Sequence, residues 1–161
     1  MHVLGIDPGK TTGICLLERI GFDDETNKWD LVVHQADQLD WDHRFDLEEP
    51  IRSALEQDAY VIVEQYTLRP TYTAVQEKDI PSAQVIGIIE DIMHHFEYPP
   101  DRYFTQPASA RKNVRLLKGH GPLVKGAHAR DAYRHARYFI VTKSNQAHQA
   151  RKAAKAIKAA R

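Results

Sequence analysis

Val3-Leu4-Gly5-Ile6-Asp7, running straight into Pro8-Gly9-Lys10-Thr11-Thr12-Gly13, is the stretch on which the fold turns. An apolar run of strand length ends in a carboxylate and breaks at once into a tight turn. Left buried and unpaired, that carboxylate costs on the order of several kcal/mol, and a metal ion is the simplest compensation. The arrangement recurs at Val61-Ile62-Val63-Glu64, again an apolar run closed by an acid. A third form is Ala127-His128-Ala129-Arg130-Asp131-Ala132, where two potential ligands lie three apart. Asp, Glu and His-x-x-Asp together outline a divalent-metal nuclease site.

Working outward, strand 1 covers about 2–7 and a second strand runs through Gly13-Ile14-Cys15-Leu16-Leu17. A polar turn at 23–27 precedes a third strand from Trp29 to about Ala36, in which Trp29, Leu31 and Val33 alternate. A helix from about Phe45 to Gln57 places Leu47, Ile51 and Leu55 on one face. Strand 4 is Tyr60 to Glu64. Ser82 is the expected N-cap of a helix to about Phe96, lined by Ile86, Ile89, Met93 and Phe96. After a short strand at Arg102–Thr105, Pro107 opens a basic helix through Arg111, Lys112 and Arg115. The last well-defined helix spans about Lys125 to Val141, and the Ala-rich tail from Asn145 carries Arg151, Lys152, Lys155, Lys158 and Arg161.

This order predicts an α/β fold with a mixed five-stranded sheet, three antiparallel strands then parallel ones, flanked by helices on both faces. Strands 1 and 4 become parallel neighbours near the centre, which brings Asp7 and Glu64 together at their C-terminal ends. Ligand sites of open α/β sheets sit at that edge. His128 and Asp131, i and i+3 on one helix, can face the same site.

With 161 residues, 42% apolar and 27% charged, the chain has the composition of a soluble domain with a proper core. No stretch approaches a membrane span and no signal-peptide pattern opens the chain, so no membrane partner and a cytoplasmic location are expected. The one cysteine, Cys15, allows no internal disulfide and reads as a small core residue. The net charge of zero conceals a polarity. Residues 1–80 hold 7 Lys+Arg against 17 Asp+Glu, and residues 81–161 hold 15 against 5. A basic half points to an anionic partner for one face, unless the two halves neutralise each other across the fold or a dimer. Gly9-Lys10-Thr11 invites a phosphate-loop reading, but that motif needs glycine where Leu4 stands, and Asp7 would repel phosphate.

Phosphodiester hydrolysis needs an activated water and charge relief on the leaving oxygen, and two divalent ions about 3.5–4 Å apart supply both. Asp7, Glu64, His128 and Asp131 are therefore the candidate catalytic and metal-binding residues. Carboxylates suit Mg²⁺, and the imidazole admits Mn²⁺. No small-molecule cofactor is expected. His128 reads as a ligand in preference to a general base.

Gly5-Ile6-Asp7-Pro8-Gly9, Thr12-Gly13, Glu64-Gln65 and His128-x-x-Asp131-Ala132 resemble the RuvC-type Holliday-junction resolvases, in order and spacing, from about residue 2 to residue 140. Family members often carry Asp-x-x-Asp last. Here His128 takes the first acid's place, a variant that occurs in the family and leaves metal preference open. The segment before Thr12-Gly13 is one residue shorter than in many bacterial members, and length and basic tail resemble a phage-encoded version. The resemblance implies a ribonuclease H-like nuclease domain over 1–143, followed by a basic tail over 144–161. It implies a homodimer that cuts opposed strands of four-way DNA junctions. The dimer face falls on the helix around Ile86, Ile89 and Met93, a stripe that equally reads as core.

Cations for phosphate contacts are Arg111, Lys112, Arg115 and Lys118, then Arg130, Arg134 and Arg137 on the final helix. Tyr66, Leu68 and Arg69 follow Glu64 on a loop expected to face DNA, with Tyr66 or Leu68 as a wedge between bases. The tail is expected to be an electrostatic arm, disordered or helical only on DNA. Two other readings stay open: a ribonuclease H-like RNA-processing nuclease, and a non-catalytic branched-DNA-binding adaptor.

Overall fold

The computed structural model describes residues 1–23, 28–65, 80–112 and 114–159. Its sheet is built from β1 (His2–Asp7), β2 (Thr11–Asp23), β3 (Lys28–Asp40), β4 (Tyr60–Gln65) and β5 (Tyr103–Pro107). The strand order is β3-β2-β1-β4-β5. The first three strands pair antiparallel, whereas β1–β4 and β4–β5 are parallel. This is the expected mixed sheet, with β1 at its centre.

Period-2 alternation divides the side chains between two cores. Leu4, Ile6, Ile14, Leu16, Val61 and Val63 pack under α1 (Glu48–Glu56) and α2 (Ile80–His95). Val3, Cys15, Leu17 and Ile62 pack with Ala129, Tyr133, Ala136 and Ile140 of α3 (Ala127–Ala159) on the other face. Asp7 and Glu64 share the parity of Val3 and Ile62 and so stand on the α3 face. Cys15 is fully buried, and burial pushes its thiol far up.

Gly5 and Gly13 decide how near α3 comes. A Cβ on Gly5 would lie 2.2 Å from the Ala132 carbonyl oxygen, and one on Gly13 would lie 2.1 Å from the carbonyl of His128. The helix backbone therefore rests on β1 and β2 where side chains are missing.

Four expectations change. The regular part of α1 begins at Glu48, after a 3₁₀ segment at Trp41–Leu47. Pro50 suits only the first turn of a helix, since it lacks an N–H and its ring clashes with the carbonyl four residues back. Helix α2 likewise begins at Ile80 with Pro81 in its first turn, so Ser82 lies within the helix and is not its cap. The basic helix expected after Pro107 reduces to a 3₁₀ turn at Ala108–Arg111. Tertiary contacts override propensity there: Arg111 is drawn into an acid cluster, and Leu116 and Leu117 pack against the α3 core. Finally, α3 does not end near Val141 but continues to Ala159. No Gly or Pro follows Gly126, and Ala dominates the extension. Ser144 and Asn145 still contact the sheet: Arg19 Nη1 donates to Ser144 Oγ (2.7 Å) and Trp29 Nε1 to Asn145 Oδ1 (3.2 Å).

Along α2, Ile89 and Met93 belong to the core, while Ile86 and Ile92 are only partly covered. A cleft lined by Trp41, Phe45, Ile88 and Ile92 opens on the outer side of this helix. Among the described residues, no helix is long and apolar enough to cross a membrane.

Candidate active site

The parallel register Ile6↔Val63 sets the ends of β1 and β4 side by side, with Asp7 and Glu64 one residue further on. The turn after Asp7 is braced by Thr12, whose hydroxyl donates to the Gly9 carbonyl (3.1 Å) and accepts from the Gly9 N–H (3.4 Å). The first turns of α3 supply His128 and Asp131. Gln38 Oε1 accepts the His128 backbone N–H at 2.9 Å, satisfying one of the free donors at the helix start.

All four expected residues meet at this edge. His128 Nδ1 lies 2.7 Å from Asp7 Oδ2. Arg111, carried in by the 3₁₀ turn after β5, reaches three acids through Nη1: Asp7 Oδ1 at 3.1 Å, Glu64 Oε2 at 2.5 Å and Asp131 Oδ2 at 3.1 Å. Asp131 also accepts from Arg134 Nη1 at 2.6 Å. One guanidinium thus supplies the cationic charge that three neighbouring carboxylates need.

The acids are inequivalent. Asp7 is 5% exposed. Burial raises its carboxyl to about 6; the His128 hydrogen bond opposes the rise, and nearby Glu64 adds to it. Glu64 goes the other way. Burial would raise it, but hydrogen bonds with His135 and Asp7 and the Arg111 charge hold it below the ordinary value. Such divergence between adjacent carboxyls marks candidate functional sites.

His135 is the residue that the sequence reading missed. It is fully buried, with Nε2 2.8 Å from Glu64 Oε2 and Nδ1 3.2 Å from Gln106 Oε1. His128, Asp131 and His135 fall at i, i+3 and i+7, so the face was readable from spacing.

Of the expected DNA contacts, Lys112, Arg115, Lys118 and Arg130 are exposed. Arg111 lies among the acids, Arg134 on Asp131, and Arg137 donates to the Arg115 carbonyl. Tyr66, Leu68 and Arg69 lie outside the described residues.

In donor chemistry the set suits a hard divalent cation: three carboxylates and one imidazole converge on one sheet edge, spread around the Arg111 charge so that no three of them bring ligand atoms within 4.8 Å of one another. Asp7, Glu64, His128 and Asp131 would hold it, with Arg111 displaced from the centre.

A mixed sheet of this order, closed by a final helix across β1 and β2, is a ribonuclease H-like fold. More particularly, it is similar to Thermus thermophilus RuvC. The likeness to that protein alone has a TM-score of 0.59 at 15% identity, over 89% of this chain and 97% of the other. For T. thermophilus RuvC in complex with Holliday junction substrate, the TM-score is 0.61 at 15% identity, over 89% and 96%. No protein-family model and no curated protein matches the sequence.

Proposed function

We propose that this protein is a metal-dependent, structure-selective DNA endonuclease that cuts four-way junctions by paired phosphodiester hydrolysis. The observation carrying this reading is the convergence of Asp7, Glu64, Asp131 and His128 on one sheet edge. The fold shared with T. thermophilus RuvC, whose structure includes a complex with Holliday junction substrate, supports DNA as the substrate.

In this reading Mg²⁺ or Mn²⁺, two ions per site, would supply charge relief at the leaving oxygen and acidify a water. Asp7, once ionised, would hold the metal together with Glu64, Asp131 and His128. His135 holds Glu64 in its buried orientation, the outer-sphere role that fixes a ligand's geometry. Arg111, whose fork suits phosphate oxygens, would serve the scissile phosphate where a metal holds the carboxylates. Lys112, Arg115, Lys118 and Arg130 take flanking phosphates, which makes binding salt-dependent. The basic end of α3 extends the footprint. A homodimer places two such sites on opposed strands, with the partly exposed Ile88 and Ile92 flank of α2, which lines the outer cleft, as the contact.

The test is cleavage of a labelled four-way junction with Mg²⁺ or Mn²⁺, then EDTA, for wild type and Asp7→Asn. Paired nicks that disappear with EDTA or Asp7→Asn while the gel shift persists are expected. Binding without cutting in either metal would instead mean a non-catalytic adaptor, and preferential cutting of structured RNA an RNA-processing nuclease.

A further inference from the structure

At the opposite end of β1, the sheet carries a second cluster that the nuclease reading does not use. Among the described residues, one group of three metal-binding side chains brings its ligand atoms within 4.8 Å of one another: His2, Glu18 and His34. We infer that these three residues form a transition-metal site of the zinc class, separate from the acid cluster at Asp7.

The backbone builds it from three adjacent strands. His2 and Glu18 are direct cross-strand partners in the β1–β2 ladder. They continue the alternation of Leu4 and Ile6, and of Ile14 and Leu16, so both stand on the α1/α2 face of the sheet. His34 comes from β3. Leu17 pairs with Val33 while Leu16 pairs with Gln35, so His34 is the residue left over by a register shift. A bulge of this kind re-aims a side chain, and here it brings the imidazole over Glu18.

The spacing suits a single ion. Glu18 Oε2 lies 2.9 Å from His34 Nε2, and Glu18 Oε1 lies 3.6 Å from His2 Nε2. Glu18 thus turns one oxygen toward each imidazole, and one ligand atom from each of the three residues lies within 4.8 Å of the others, close to the roughly 3.3 Å separation of tetrahedral ligands about 2.05 Å from zinc. The two imidazoles sit 5.7 Å apart, tilted by 52°, so neither stacks on the other. Two imidazoles and one carboxylate leave a fourth position for water, and the side chains are open enough for an ion to reach. This donor set is softer than the three carboxylates and one imidazole at Asp7, so it selects zinc over magnesium.

The two sites cannot share an ion. His2 and Asp7 are five residues apart on one strand, roughly 16 Å at about 3.3 Å per residue. A bound ion here would tie β1, β2 and the edge strand β3 together, where the β2–β3 ladder also shifts register between Arg19 and Gly21.

The experiment uses the full chain without a histidine tag, in an Asp7→Asn/Asp131→Asn background that silences the acid cluster. Zn²⁺ is titrated against a chromogenic chelator in excess Mg²⁺, and Co²⁺ is added separately for its visible spectrum. One equivalent of Zn²⁺ per chain, an intense tetrahedral Co²⁺ band and a rise in melting temperature are expected. His34→Ala or Glu18→Gln should remove all three. His2→Gln should weaken Zn²⁺ binding at least about tenfold, the scale on which metal sites respond to altered ligand environments. Far-UV circular dichroism checks that each variant is folded. Zinc binding absent from the Asp7→Asn/Asp131→Asn protein, or unchanged by His34→Ala and Glu18→Gln, overturns the site. The readout does not depend on nuclease activity, so it stands or falls apart from the proposed function.

Discussion

His135 Nε2 lies 2.8 Å from Glu64 Oε2, and the imidazole that makes this contact is fully buried beneath the sheet edge. Glu64 Oε2 is also the atom that Arg111 reaches, so His135 and Arg111 hold one carboxylate oxygen from two sides. The second imidazole nitrogen is anchored on Gln106 of β5. The orientation of Glu64 therefore depends on a strand beyond its own.

His135→Ala should cost about 2–4 kcal/mol of stability, combining a cavity with the loss of a hydrogen bond to a charged group. It should also lower cleavage roughly 10–100-fold through weakened metal affinity, as loss of a partner behind a ligand does. Denaturant unfolding and Mn²⁺ titration measure the two effects separately. A destabilised variant that binds Mn²⁺ like the wild type would show that His135 only fills space.

Arg111→Ala removes the positive charge shared by Asp7, Glu64 and Asp131. The metal-free protein should lose about 1–3 kcal/mol, less than for a fully buried pair because the guanidinium is partly exposed. The rise in melting temperature on adding Mg²⁺ should grow, since the ion no longer competes with a resident cation. Thermal scans with and without Mg²⁺ test this. An equal Mg²⁺ shift in both proteins would place Arg111 outside the competition.

Asp7 makes cation binding pH-dependent. Burial first, then Glu64, raises it to about 6 from an ordinary 3.8. Between those values the folded chain holds a proton that the unfolded chain has lost. The stability from that proton is complete below the ordinary value and is lost as pH rises through about 6. Glu64, shifted down, contributes in the opposite sense: its stability is present above the ordinary value and is lost as pH falls. A cation needs Asp7 ionised, so Mn²⁺ affinity should fall about tenfold per pH unit below 6. Calorimetry in two buffers of different ionisation enthalpy should detect a released proton. Asp7→Asn should release none.

The strand-end acids were legible because each closes an apolar run, and His128 with Asp131 because i, i+3 spacing puts them on one helix face. Arg111 was legible only as a cation near DNA. Its place among the acids depends on β5 lying beside β4 and on a short 3₁₀ turn, neither of which leaves a periodic trace. His135 was hidden for another reason: between Tyr133 and Ala136 it looks like one more residue of an apolar helix face, although it continues the spacing of His128 and Asp131. The extension of α3 to Ala159 was open to view in the lack of any Gly or Pro after Gly126. A run of Lys and Arg with little apolar patterning made it read as an electrostatic arm.

Gly13 is where the fold sets the distance between sheet and helix for the site itself. A Cβ there would meet the His128 carbonyl carbon and oxygen at 2.1 Å and the Ala129 nitrogen at 2.6 Å. These are backbone atoms, so no rotamer change relieves the clash, and the start of α3 has to lift from β2. Gly13→Ala should cost about 3 kcal/mol, at the upper end for overpacking, and lower the melting temperature by roughly 6–12 °C. Because His128 moves with that turn, cleavage should fall further than the folded fraction does. Gly87→Ala is the control. It lies in α2 with nothing within 4 Å of its added Cβ, so helix propensity alone should raise stability by about 0.5–1 kcal/mol. Equal, small effects of the two substitutions would mean that α3 is free to settle elsewhere, and that the sheet-to-helix distance does not hold His128 beside Asp7.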